Sequence, residues 1–191
     1  MEYSTNVNKS IFRAIALTAV LGSTQVAMAC EGHHCDDPMT SFGGPEGSAS
    51  CSSIQGNLQF GATSTVIIDI GGYTPCTEHD RVTVGGLLTF NGTLRVNLFN
   101  DFMPEPGDAF TVFVYGSRMG NFTSVVNNTG FAGLVVNRVF NPTFMNIVMS
   151  GLPGDTDIDG DVDFSDLLTV AQNYDQVPGA TWFDGDFNND E

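Results

Sequence analysis

The chain has 191 residues, 22 acidic and six basic side chains, and a formal charge of −16 at pH 7. That balance excludes nucleic acid as a partner, because phosphate binding needs clustered Lys and Arg. The length suits one ordinary domain plus a small one, and 41% hydrophobic residues can supply a core.

Residues 1–29 read as a secretory signal peptide. Lys9 and Arg13 give the positive start, Ala14 to Gly22 is apolar and small, and Ala27-Met28-Ala29 has the small-x-small form of a cleavage site. The apolar run is shorter than the roughly 20 residues of a membrane span, and no other segment reaches that length. The expected location is secreted, extracellular or cell-surface, with no transmembrane segment in the mature chain. Cleavage would leave Cys30 first, which raises lipidation of Cys30 as an alternative, although Ala27 stands where a lipoprotein signal usually has Leu.

Residues 30–53 form a Cys/Gly-rich leader, expected to be irregular. Cys30, Cys35, Cys51 and Cys76 are an even set in an exported chain, which favours two disulfides with three connectivities open. His33 and His34 in "CEGHHC" could instead join thiols in a soft-metal site, but no second ligand pair follows at finger-like distance.

Residues 54–151 read as a β-rich module. The runs "STVIIDI", "DRVTV", "LLTF", "TLRVNLF", "AFTVFVY", "GLVVNRVF" and "TFMNIVM" are short, apolar or alternating. Leu94, Val96 and Leu98 should share one face, as should Phe110, Val112 and Val114. Gly-Gly at 71–72 and 85–86, Asn91-Gly92 and Pro106-Gly107 mark turns. The fold class expected is mainly β, a sandwich or a short β-solenoid, followed by a small α-helical calcium-loop segment.

The order "STVIIDIGGYTPCTEHDRVTVGG", "LTFNGTLRVNLFNDFMPEPGDAFTVF" and "GNFTSV" resembles a secreted β-repeat module. Such modules occur in bacterial surface proteins, planctomycete ones especially, ahead of a sorting tail or a dockerin. Cys76 stands where that family usually has Gly. The resemblance implies an exported, non-catalytic β module.

In "GDTDIDGDVDFSDLL", Asp155, Asp157, Asp159, Asp161 and Asp163 alternate and Asp166 follows. Two such charges about 4 Å apart at an effective dielectric of ~20 repel by on the order of 4 kcal/mol. Between Asp155 and Glu191 lie 11 of the 22 acidic residues and no basic one. The spacing is that of a twelve-residue calcium loop: carboxylates at positions 1, 3, 5, 9 and 12, Gly160 at the sharp turn, and a backbone carbonyl from Asp161 at position 7. Val162 would be the apolar plug. Leu167, Val170, Ala171 and Tyr174 then repeat at helical spacing, extended by Phe164 and Leu168, and read as a core-facing stripe.

With Asp as last ligand and "GLPG" where no entering helix could form, this segment resembles a type I dockerin, spanning residues 154–191. Asp186, Asn188 and Asp190 match positions 1, 3 and 5 of a second repeat that is truncated, with Glu191 in its Gly position. The resemblance implies calcium as cofactor and a cohesin-like or cell-surface partner contacted through Phe164, Ser165, Thr169 and Gln172. Phe164 fits a core position equally well.

The expected function is therefore calcium-dependent assembly or surface attachment without catalysis, within a polysaccharide-degrading system. The alternative is a carbohydrate-active protein, an O-glycosyl hydrolase or a sugar binder, carrying such an end. Its candidate carboxylates, Asp69, Glu78, Asp80, Asp101, Glu105 and Asp108, read more simply as solvated loop charges.

Overall fold

The computed structural model describes residues 40–41, 47–175 and 179–188. The signal peptide, Cys30, Cys35 and Asp190 lie outside the described residues. In chain order the strands are β1 (Thr40–Ser41), β2 (Cys51–Ile54), β3 (Leu58–Gln59), β4 (Thr65–Ile70), β5 (Arg81–Phe90), β6 (Thr93–Leu98), β7 (Ala109–Gly120), β8 (Ser124–Asn128), β9 (Val135–Phe140) and β10 (Phe144–Ser150). One helix follows, α1 (Phe164–Gln172), then a 3₁₀ turn at Trp182–Asp184.

The strands wind as a short parallel solenoid. One sheet has the order β1-β4-β6-β8, and the other runs β2-β5-β7-β10-β9, with β3 also on β5. From β3 to β8 successive strands alternate between the sheets, and every pairing among β1 to β8 is parallel. Thr93 pairs Thr65, 28 positions back, and Ser124 pairs Thr93, 31 positions back, so each coil takes about one such interval. Strand β10 then lies antiparallel on β7, and β9 antiparallel on β10, which ends the winding.

Side-chain alternation builds the core between the sheets. Val66, Ile68 and Ile70 of β4, Leu94 and Val96 of β6, and Val82, Val84, Leu88 and Phe90 of β5 belong to one buried cluster. On the outer face of the first sheet, polar residues stack coil on coil. Asn97 donates from Nδ2 to Asp69 Oδ1 at 2.8 Å, and Asn128 donates from Nδ2 to Asn97 Oδ1 at 2.8 Å. The first rung pairs the buried Asp69 carboxylate, and the second lies exposed.

Three local expectations are corrected. Gly85-Gly86 is no turn: "DRVTV" and "LLTF" form one ten-residue strand, β5. A Cβ at Gly85 would stand 2.7 Å from the Gln55 carbonyl oxygen, and one at Gly116 2.5 Å from the Gly85 oxygen. These glycines let successive coils approach closely at a bend. Val114 does not share the inner face with Phe110 and Val112. The register shift between Met145 and Asn146 leaves Val112 and Phe113 both buried in succession, a β-bulge that turns Val114 outward. The leader is not wholly irregular, since β2 begins at Cys51 and pairs with β5.

Cys51 is bonded to Cys76, with Cα atoms 4.8 Å apart. Cys76 has φ of 73°, the left-handed region where glycine costs least. The bond ties the start of β2 to the turn after β4 across 25 residues. Its reduction is expected to lower stability by about 3.5 kcal/mol, the loop-closure value for that length. Urea unfolding with and without reductant measures the difference.

Two of the candidate carboxylates prove to be structural and buried rather than solvated. Asp80 accepts from Ser50 N at 2.8 Å and Asp69 N at 2.9 Å, while Asp69 accepts from Gly47 N at 3.1 Å. Together they moor residues 47–50 on the β body. Burial, aided by the Asp69 charge, pushes the Asp80 carboxyl up to about 6, against the lowering effect of its N–H donors. A folded-state pKa above the unfolded value of 3.8 means that this group favours folding below about pH 4. That contribution is lost as pH rises through about 6. A carboxyl-carbon titration of Asp80 by NMR should show its midpoint near 6, and Asp80→Asn should remove the corresponding part of the stability-versus-pH curve.

Candidate metal centre

Residues 152–163 leave the β body as a closed loop. Asp155 is fully buried, and its Oδ1 accepts from Asp159 N at 3.1 Å, its Oδ2 from Gly160 N at 3.0 Å. Asp157 Oδ1 accepts from Asp159 N at 3.3 Å, and Asp159 Oδ1 from Asp161 N at 2.9 Å. These bonds curl the backbone so that Asp155, Asp157 and Asp159 each bring one oxygen within 4.8 Å of the others. Gly160 takes φ of 103° at the turn.

The other three expected ligands lie outside this triad. Asp161 is exposed. Asp163 is the N-cap of α1, accepting from Ser165 N at 2.7 Å. Asp166 completes the capping box by accepting from Asp163 N at 2.7 Å, and its second oxygen accepts from Thr156 N at 2.7 Å and the Thr156 hydroxyl at 3.0 Å. The N–H groups of Asp163 and Thr156 hold its carboxyl below the usual carboxylate range. Desolvation and then the charge of Asp159 hold Asp157 above that range, with Asp166 and Asp155 adding to the effect. The triad is thus a set of mutually repelling hard oxygens. Such a set could hold a hard metal cation through its carboxylate oxygens.

The apolar plug is Ile158, not Val162. Ile158 is fully buried with φ of 51°, whereas Val162 is 54% exposed. The left-handed turn at Ile158 aims its side chain into the β core, and loop spacing cannot reveal which apolar residue meets an apolar counterpart. Thr156 and Trp182 were also missed. Trp182 is buried, and its Nε1 donates to the Asp155 carbonyl at 2.6 Å. That it is the chain's only Trp was the one sequence cue.

The helical stripe is not core. Phe164 is 73% exposed, Leu167 62% and Tyr174 84%, and Ala171 is exposed as well. Val170 alone of the stripe is half-buried, facing Gly185. Periodicity shows which face is apolar but not what covers it. The 3₁₀ turn lies alongside α1, and Asp166 ties the helix to Thr156 of the loop. Of the expected partner residues, Phe164, Ser165 and Gln172 are exposed, and Thr169 is half-buried with its hydroxyl donating to the Ser165 carbonyl at 3.1 Å. In the second partial loop, Asp186 N donates to Thr181 O at 3.0 Å and Asn188 N to Asp186 Oδ1 at 3.4 Å.

The remaining candidate carboxylates are spread over the β body. Glu78 Oε2 accepts from Thr74 N at 2.7 Å, and Asp108 Oδ2 from the Tyr73 hydroxyl at 2.8 Å and Glu105 N at 2.8 Å. Asp101 borders an open groove of about 390 Å³ beside Phe99, Phe102 and Phe131. Comparisons with family models, with curated proteins and with solved structures gave no match.

Proposed function

We propose that this is an exported, non-catalytic β protein whose C-terminal segment is a calcium-dependent, dockerin-like attachment end. The observation that carries the reading is the convergence of Asp155, Asp157 and Asp159 immediately before a helix that leaves Phe164, Leu167, Leu168 and Tyr174 exposed. The acidic triad would hold the ion through carboxylate oxygens. Asp163 and Asp166 start the helix from the same loop, so ion binding and helix order are linked. The exposed apolar face is the surface that a cohesin-like or cell-surface protein would cover.

Calcium titration of the secreted full chain by calorimetry tests the reading. One-site binding is expected with a dissociation constant on the order of 10⁻⁴ to 10⁻³ M, the range of extracellular modules. No heat at millimolar calcium would remove the proposal. Leu167→Asp should keep calcium binding and lose capture of the chain by its native cell surface, and retained capture would remove α1 from the partner face.

A further inference from the structure

The C-terminal segment meets the β body through two buried side chains. Ile158 belongs to the same core cluster as Leu134 and Val136, and its carbonyl accepts from Gly133 N at 2.9 Å. A Cβ at Gly133 would collide with Asp155 Oδ2, so the loop lies directly on that backbone. Trp182 is the second pin. Its ring Cζ2 would stand 2.9 Å from a Cβ at Gly151, and Phe187 packs on it edge-on with ring centroids 5.0 Å apart. Between these pins α1 lies outward, with Asp166 its one buried residue. A tethered module would pack its loop plug and its helix stripe against each other. Here the plug and the tryptophan enter the β core, and the stripe faces away.

We propose that residues 152–175 and 179–188 are a strap that closes the C-terminal end of the solenoid and displays α1 as a fixed ledge on the β body. Winding folds need such terminal caps, because the last coil has no successor to cover its core. The strap goes beyond the calcium reading and stands without it, since each pin buries an apolar side chain that needs no ion.

Hydrogen exchange and thermal unfolding of the full chain in chelator test the strap. One unfolding transition is expected, with residues 155–160 and 182–187 protected in the same class as β10. Ile158→Ser should lower protection over residues 132–140 and 182–187 by about tenfold or more. If that variant does not fold, Ile158→Val should show a smaller loss over the same residues. Leu168→Ser, on the exposed face of α1, should leave residues 132–140 unchanged. Two separate transitions, free-chain exchange of the strap beside a protected β10, or an Ile158→Val variant with unaltered protection would overturn the proposal.

Discussion

Calcium at about 100 times its dissociation constant is expected to stabilise the full chain by about 2.7 kcal/mol, a rise of about 5–10 °C in unfolding temperature. The size follows from mass action on the proposed site, which only the folded state would assemble. In the unfolded chain the six carboxylates spread apart and bind the ion weakly. In the folded chain three of them face one another within 4.8 Å, and no Lys or Arg occurs between residues 154 and 191 to neutralise them. Magnesium should give a smaller shift, because it demands octahedral geometry and gives up its water reluctantly. Asp155→Asn is the sharpest control. It keeps one side-chain oxygen for Gly160 N, leaves Asp159 N to Asp157 Oδ1 and removes the charge, so the calcium response should vanish while the loop still closes. Trp182 supplies a second readout. Its indole bonds the Asp155 carbonyl, and it is the chain's only Trp. Its fluorescence should follow the titration in the wild type and stay flat in Asp155→Asn.

Phe90→Ala is expected to cost about 3–5 kcal/mol, a large fraction of the roughly 5–15 kcal/mol that holds a domain together. Phe90 sits at the meeting point of five aromatic rings. Its centroid is 6.1 Å from Phe60, 5.4 Å from Phe113, 5.8 Å from Tyr115, 5.2 Å from Phe122 and 5.2 Å from Phe140. Truncation removes the ring from all five and leaves a cavity that stiff parallel coils cannot collapse to fill. Urea unfolding measures the loss, and Phe90→Leu, which keeps most of the apolar volume, should cost distinctly less. An alanine variant within 1 kcal/mol of wild type, well below the usual range, would mean that the cluster repacks.

Much of this was legible in the residues. Alternation in "TLRVNLF" marked β6 and its buried Leu94 and Val96, because a strand's side chains turn over with period two whatever lies around them. The Asp155 to Asp166 spacing marked the loop and the start of α1, because cap and turn chemistry is local. Gly85-Gly86 misled because close approach and chain reversal select the same residue. Only the neighbouring coil, with the Gln55 carbonyl in contact, distinguishes them.

By itself, then, the sequence determined the β texture of the body, the acidic turn after Pro153 and the short helix beyond it, all products of interactions spanning a few residues. The tertiary structure alone decided that the strands stack in parallel coils, that Cys51 meets Cys76, that Ile158 rather than Val162 enters the core, and that the apolar face of α1 stays in water. Each of these depends on which distant surface arrives opposite a given side chain, and burial is a property of that pairing rather than of either partner's local pattern.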